Sequence, residues 1–283
     1  MREDTYSASK GLRTLGPQGI GLFRTLEERF LRWADDCGAV EKHYPVLMAV
    51  SDLARFDYFR NFPHIAVCGC GLHESRHDHY AAMRDQPAEI PAADLAAADH
   101  VLVPAACYNI YLDYENAALD QDLKITTVAQ CHRNETHYRG LARLRGFHMR
   151  EIVCIGTADG VKRHLAEHKR KVTGFLDAIG LPVGIETASD PFFDKESERA
   201  VTARLFPTKE EVVYGGEVAI ASFNFHRNFF GERCGIHING ETAYTGCVAF
   251  GIERWIHALL DHFGSAEAAR NALSATLAEV APA

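Results

Sequence analysis

The stretch Cys131-His-Arg-Asn-Glu135, followed twelve residues later by Phe147-His-Met-Arg-Glu151, decides how this chain is read. Side chains alternate along a strand, so Arg133 and Glu135, two apart, are expected on one face. A guanidinium presents a fork of donors that matches phosphate oxygens. The glutamate beside it can accept from an amine, and Phe147 on a returning strand offers a flat surface to a purine. A second stretch, Gly246-Cys-Val-Ala-Phe-Gly-Ile-Glu-Arg254-Trp255, reads as a glycine-rich strand running into a helix that carries another arginine.

These two stretches, in this order, resemble motifs 2 and 3 of the class II aminoacyl-tRNA synthetases. In those enzymes an antiparallel hairpin and a strand–helix pair hold ATP. The resemblance implies an α+β fold, a class II antiparallel β-sheet flanked by helices, in a single catalytic domain. It also implies roles. Arg133 takes the α-phosphate, Glu135 the adenine amino group, and Phe147 stacks on the ring. Arg254 holds the γ-phosphate side, so Arg133 and Arg254 are the expected catalytic pair. Arg143 and Arg145 are further candidates for phosphate. Alone, each arginine would read as a solvated surface residue; the motif context reverses that.

Composition bounds the alternatives. A chain of 283 residues with 47% hydrophobic and 24% charged residues matches an ordinary globular protein. The formal charge of −8 and the lack of a basic tail argue against a tRNA partner, which would call for a basic stripe. Met1-Arg-Glu-Asp-Thr-Tyr has no apolar run, so neither a signal peptide nor a membrane span is expected. Eight scattered cysteines then read as reduced thiols, and the expected location is cytoplasmic.

Along the chain, residues 1–20 read as a loose N-terminal arm ahead of a catalytic domain at 21–283. Leu22, Phe23, Leu26, Phe30, Leu31 and Trp33 recur at helical spacing. Pro45–Tyr58 reads as a second helix, and Arg60-Asn-Phe-Pro63 as the start of an extended piece. A helix followed by a proline-containing strand resembles motif 1, so a homodimer through 45–65 is expected. Strands are expected near 64–70, 100–106, 125–131, 147–156, 212–224 and 234–239, and helices at 160–181 and 252–263.

Cys107, Glu151 and Cys247 stand on elements that neighbour one another in a class II sheet. Two thiolates and a carboxylate would leave the fourth position of a tetrahedral zinc open to an amino acid's α-amine. This set is similar to the zinc ligands of the archaeal-type seryl-tRNA synthetases. Cysteines on apolar strands are more often small core residues, and Cys37, Cys68, Cys70, Cys131, Cys154 and Cys234 fall in that class. Glu217 resembles the acid that carries magnesium between the β- and γ-phosphates. Ser222 and Asn224 are expected in the amino-acid pocket. His226 and Asp190 are weaker candidates there, and His73 and Glu74 stand at the acceptor entrance.

Taken together, the chain resembles the amino acid:[carrier protein] ligases, which look like an archaeal-type seryl-tRNA synthetase without its tRNA-binding domain. The resemblance implies activation of glycine or alanine as an aminoacyl-adenylate, with ATP as substrate. Transfer to the phosphopantetheine thiol of a carrier protein follows. A seryl-type enzyme that charges tRNA, a non-catalytic paralogue and an adenylating enzyme with a small acceptor are the alternatives. Two segments compete to dock the carrier. One is the basic helix at 160–180, with Lys162, Arg163, Lys169, Arg170 and Lys171. The other is the charged segment Asp194–Glu211, with Arg199, Arg204 and Lys209.

Overall fold

The fold is built on a seven-stranded sheet, as seen in a computed structural model that describes residues 5–8, 11–205 and 208–278. Its strands are β1 (Val40–Glu41), β2 (Leu123–His132), β3 (Gly146–Gly156), β4 (Val183–Ala188), β5 (Lys209–Tyr214), β6 (Val218–Arg227) and β7 (Tyr244–Gly251). Their order across the sheet is β4-β5-β6-β7-β3-β2-β1, antiparallel throughout except where β1 joins β2. Four longer helices accompany the sheet: α1 (Pro17–Asp36), α2 (Ala158–Ile179), α3 (Ile252–Phe263) and α4 (Ala266–Ala278).

Local chemistry sets the helix ends. Pro17 opens α1 at a position where a missing N–H costs nothing. Thr157 caps α2, its hydroxyl accepting from the Gly160 N–H at 3.1 Å, and Gly180 closes it in the left-handed region at φ 71°. The apolar stripe of α1 then lies against the sheet. Leu22, Leu26, Phe30 and Trp33 are buried, and Phe30 stacks on Phe250 of β7 with ring centroids 4.2 Å apart. Trp255 of α3 fills the same cluster. Each such side chain contributes about 1.5–3 kcal/mol of burial.

Register assigns the two faces of the sheet. Ile152, Val248 and Phe250 point into the cluster under α1, α2 and α3. The alternating residues point the other way. Glu151 lies opposite Ala249 and Thr127, Cys247 opposite Asn224, and Ser222 opposite Glu211. Even spacing therefore places Phe147, Glu151, Cys247, Ser222, Asn224 and Glu211 on one face. A second cluster, with Ile110, Tyr111 and Phe230 at its centre, covers the outer part of that face.

Four readings of the sequence need correction. Residues taken as a loose arm include strands Thr5–Ala8 and Leu12–Leu15, which pair antiparallel, and α1 begins at Pro17. No long helix occupies 45–58: Leu47–Ala49 is a strand, followed by helices Val50–Ala54 and Tyr58–Asn61. Pro63 opens a short helical turn to Ile65 instead of an extended piece, so the helix-then-strand pattern read at 45–65 is not present there. The predicted strands at 64–70 and 100–106 shorten to Cys68–Gly69 and His100–Leu102: the turn from Pro63 runs to Ile65, and Pro104 cannot donate to a ladder. Finally, β2 ends at His132, so strand alternation does not place Arg133 and Glu135.

At Gly246 helix α2 lies close against the sheet. A Cβ there would stand 2.6 Å from Val161 Cγ1 and 2.9 Å from the Asn224 carbonyl oxygen. Gly246→Ala is therefore expected to cost about 1–3 kcal/mol by overpacking. Thermal unfolding reads this as a lower midpoint; an unchanged midpoint would contradict the packing described.

Candidate active site

The sheet's chemical face carries two groups of side chains with opposite electrostatic character. At one end stand the arginines. Arg133 follows β2 directly, and its Nε donates to the Pro104 carbonyl at 2.9 Å. Its guanidinium lies 5.3 Å from the centre of the Phe147 ring. Arg254, in the first turn of α3, donates from Nε to the Ala142 carbonyl and from Nη1 to that of Ala219, both at 3.0 Å. These bonds fix the fork while leaving donor capacity for a ligand. Burial, with the charges of Arg133 and Arg143 nearby, pushes Arg254 down to about 10. A polyanion would relieve that crowding of like charges.

Between these residues lies a pocket lined by Glu135, Leu141, Ala142, Leu144, Phe147, Gly251, Glu253 and Arg254. Its walls suit a flat heterocycle: aliphatic carbons, one aromatic face and a carboxylate edge. Glu135 is held there by Arg143 Nη1 at 2.9 Å. Arg145 instead turns to Asn134 and Tyr138.

The other group is acidic. Cys107, Glu151 and Cys247 each offer a ligand atom, all within 4.8 Å of one another, and all three residues are buried. They arrive from a loop, from β3 and from β7, far apart in sequence. The Cys107 N–H donates to Glu151 Oε1 at 3.1 Å, which locks the loop over the strand. Cys107 sits at about 11: its hydrogen bond with Cys247 favours the thiolate, and burial with the Glu151 carboxylate outweighs that. The Cys247 thiol is pushed well up by Cys107, by burial and by Glu151. Three acidic groups crowding one buried point fit a divalent cation, which would reverse the cause of both shifts.

Asn224 links this group to its surroundings. Its Nδ2 lies 3.3 Å from Cys247 Sγ and 3.0 Å from Ser222 Oγ. His226 Nε2 lies 3.7 Å from the same sulfur, and Tyr111 reaches His226 Nδ1. Ser222, Asn224 and His226 thus edge the acidic group. Cys131 does not join it; the thiol is buried in the apolar cluster, and burial raises its pKa.

Other candidates are placed elsewhere. Glu217 stands exposed beside the β5–β6 turn and pairs with Arg139 at 2.7 Å. Glu211, not anticipated from the sequence, lies on the chemical face beside Ser222 and acts on the Arg254 charge. Lys209 pairs with Asp190 at 3.0 Å and Glu211 at 2.9 Å. His73 and Glu74 are exposed around a short turn, where His73 Nδ1 meets Ser75.

Comparison with known proteins gives the family. Residues 93–263 match the tRNA synthetase class II core domain (G, H, P, S and T). The chain is 32% identical over 277 residues to the amino acid--[acyl-carrier-protein] ligase 1 of Bradyrhizobium diazoefficiens, covering 92% of this chain and 85% of that protein. This chain belongs to that family. Ligase 2 of the same organism is 34% identical over 232 residues, covering 78% and 69% of the two chains. Among solved structures, the seryl-tRNA synthetase of M. kandleri in complex with A. aeolicus tRNASec superposes with a TM-score of 0.78 at 19% identity. That likeness covers 92% of this chain and 55% of the synthetase, and it establishes the class II fold.

Glu151 offers a direct test of the acidic group in the family member at hand. Its carboxylate is buried, and the Cys107 N–H that it meets is a neutral donor. Glu151→Gln is expected to raise the melting temperature of chelator-treated protein, since a buried charge is removed. Excess zinc should then stabilise the parent more than the variant, by up to about 2.7 kcal/mol at a hundredfold excess over Kd. Equal zinc responses would contradict a metal role for this carboxylate.

Proposed function

We propose that this enzyme activates a small amino acid, glycine or alanine, with ATP and transfers it to the phosphopantetheine thiol of a carrier protein. The observation that carries the reading is the convergence of Cys107, Glu151 and Cys247 on the sheet face that also bears Arg133, Phe147 and Arg254.

The chemistry follows from the residues. Zinc held by Cys107, Glu151 and Cys247 would leave one position for the α-amine and so fix the amino acid's nitrogen. Asn224 and Ser222 border that point and limit the volume left for a side chain. The adenine ring enters the pocket against Phe147, with Glu135 accepting from its amino group. Arg133 holds the α-phosphate where the carboxylate attacks, and Arg254 holds the departing pyrophosphate. Fixed cations at these points offset the charge that builds in the transition state. Magnesium, bound through carboxylate and phosphate oxygens, is assigned to this end of the site. Glu211 acts on the Arg254 charge whereas Glu217 is exposed and paired with Arg139, so Glu211 is the preferred carrier and Glu217 the alternative. In the second half-reaction the carrier's thiolate attacks the adenylate carbonyl and AMP leaves.

Position on the sheet separates the two docking candidates. Helix α2 packs on the face opposite the triad, and Lys169 and Lys171 are engaged by Glu210 and Asp36. The segment 192–205 lies on the chemical side, with Phe192 stacked on Phe62. It presents Phe193 and Leu205, each about two-thirds exposed, beside the exposed Arg204. We assign carrier docking to this segment; the Arg199 side chain lies outside the described residues. A homodimer is assigned to the predicted 45–65 region, where Val46 and Leu47 are exposed apolar residues.

Two experiments follow. Arg133→Ala should cut amino-acid-dependent ATP–pyrophosphate exchange by about a hundredfold or more, a loss on the order of 3 kcal/mol. Exchange within tenfold of the parent would overturn the assignment. Arg204→Glu with Phe193→Ala should raise the KM for the holo carrier protein while leaving exchange unchanged. If Lys169→Glu with Arg170→Glu does so instead, docking moves to α2. Intact-mass measurement of holo carrier protein, beside an acceptor assay with total tRNA, decides between thioester formation and tRNA charging.

A further inference from the structure

Behind the sheet, on the face away from the active site, a second group of metal-ligand side chains converges. Cys37, His164 and His168 each offer a ligand atom, all within 4.8 Å of one another. His164 and His168 stand one turn apart on α2, with ring centroids 4.3 Å apart, and are 2% and 1% exposed. Cys37 caps the C-terminal end of α1 and is half-buried, so the group has an opening toward solvent.

The hydrogen bonds of the two rings are informative. His164 Nε2 faces the Ile152 carbonyl at 3.2 Å, and His168 Nδ1 faces the His164 carbonyl at 2.9 Å. A ring nitrogen facing a carbonyl carries the proton. Of the remaining nitrogens, His164 Nδ1 is buried without a hydrogen-bond partner, and His168 Nε2 makes no well-formed hydrogen bond although the Trp33 backbone stands beside the ring. Buried lone pairs are normally satisfied, and here that of His164 Nδ1 sits beside a thiol. A backbone carbonyl on one ring nitrogen is also how proteins orient a histidine whose other nitrogen ligates a metal. Burial, reinforced by each other's proximity and by nearby lysines, holds the His164 imidazole down, to about 3, and burial likewise lowers His168. Both rings are therefore neutral, the form that ligates. Burial raises the Cys37 thiol, while Lys124 and Lys171 act in the opposite sense and favour the thiolate that a metal requires.

We propose that Cys37, His164 and His168 bind a second zinc-type divalent ion, which fastens the C-terminal end of α1 to α2 behind the sheet. Tetrahedral zinc with Zn–S of about 2.3 Å and Zn–N of about 2.0 Å would hold its ligand atoms roughly 3.5 Å apart. Closing the group to that spacing takes side-chain movement of about an ångström, available to a half-buried cysteine at a helix end. The role is structural, since the sheet separates this group from the arginines and the triad. The inference stands apart from the proposed acyl transfer.

The test is metal stoichiometry and cobalt absorption in the full-length protein. Parent and Cys37→Ala are loaded with zinc, desalted and analysed; the parent is expected to retain about one equivalent more than the variant. Cys37→Ala trims a small side chain at a helix end, and circular dichroism confirms its fold. In a Cys107→Ser, Cys247→Ser background, cobalt should still give the visible bands of a tetrahedral site and a thiolate charge-transfer band. Adding Cys37→Ala should abolish both. Zinc should raise the melting temperature of the Cys107→Ser, Cys247→Ser protein, and pyrophosphate exchange of the single Cys37→Ala variant should match the parent. Equal zinc content in folded parent and folded Cys37→Ala would overturn the proposal. So would the absence of cobalt bands in the folded double-serine background.

Discussion

Everything at the candidate site depends on one backbone constraint, the antiparallel register of β5, β6, β7, β3 and β2. Once Cys247 pairs with Val153 and with Asn224, the pleat puts the next chemical residues on the same side. A slip of one residue would turn Glu151 and Cys247 toward α1 and α2 and bring Ile152 and Val248 to the site. The apolar face under the helices therefore fixes the chemistry on the other face. Gly246 tightens this coupling, because only a residue without a Cβ lets α2 lie so close behind Cys247.

The face is also polarised along its length. Arg133, Arg143 and Arg254 crowd one end, and burial together with the like charges of Arg133 and Arg143 lowers Arg254. Cys107, Glu151 and Cys247 crowd the other end; burial and the Glu151 carboxylate raise Cys107 against its hydrogen bond with Cys247, and Cys247 is raised by Cys107, by burial and by Glu151. Like charges crowded in this way are relieved by ligands of opposite sign. An aminoacyl-adenylate on a divalent ion has that pattern: phosphate at one end and amine with cation at the other. Opposed clusters at fixed spacing would select such a ligand by charge order, while pocket volume near Asn224 and Ser222 would set the size of the side chain.

Much of this arrangement was legible in the sequence, because the relevant residues lie within strongly patterned segments. The hairpin 123–156, the helix at 158–179 and the strand–helix pair 244–263 follow from alternation and helical spacing, and the resemblance then ordered them. Cys107, Glu151 and Cys247, far apart in sequence, bring their ligand atoms within 4.8 Å of one another. What escaped were features set by tertiary contact. Arg133 and Glu135 lie past the end of β2, so their placement comes from Pro104 and Arg143 rather than from strand alternation. Pro45–Tyr58 has helix-compatible residues, yet Leu47–Ala49 pairs with His100–Leu102 and the local preference yields. Cys37 looked like an isolated core thiol, since nothing near it in sequence reveals that α1 ends beside His164. The spacing of His164 and His168 by four residues was the signal available, and it gains meaning only once α2 is seen against α1.

The central claim is that one sheet face holds both a metal-anchored amine site and an arginine-held phosphate site. The most direct measurement is calorimetric titration with a non-hydrolysable sulfamoyl analogue of glycyl- or alanyl-adenylate, set beside ATP, with and without chelator. Chelation is expected to weaken the analogue by about an order of magnitude or more while ATP binding is unchanged, and Arg254→Ala to weaken both ligands. Analogue affinity that is indifferent to both chelation and the Cys247→Ala substitution would contradict it.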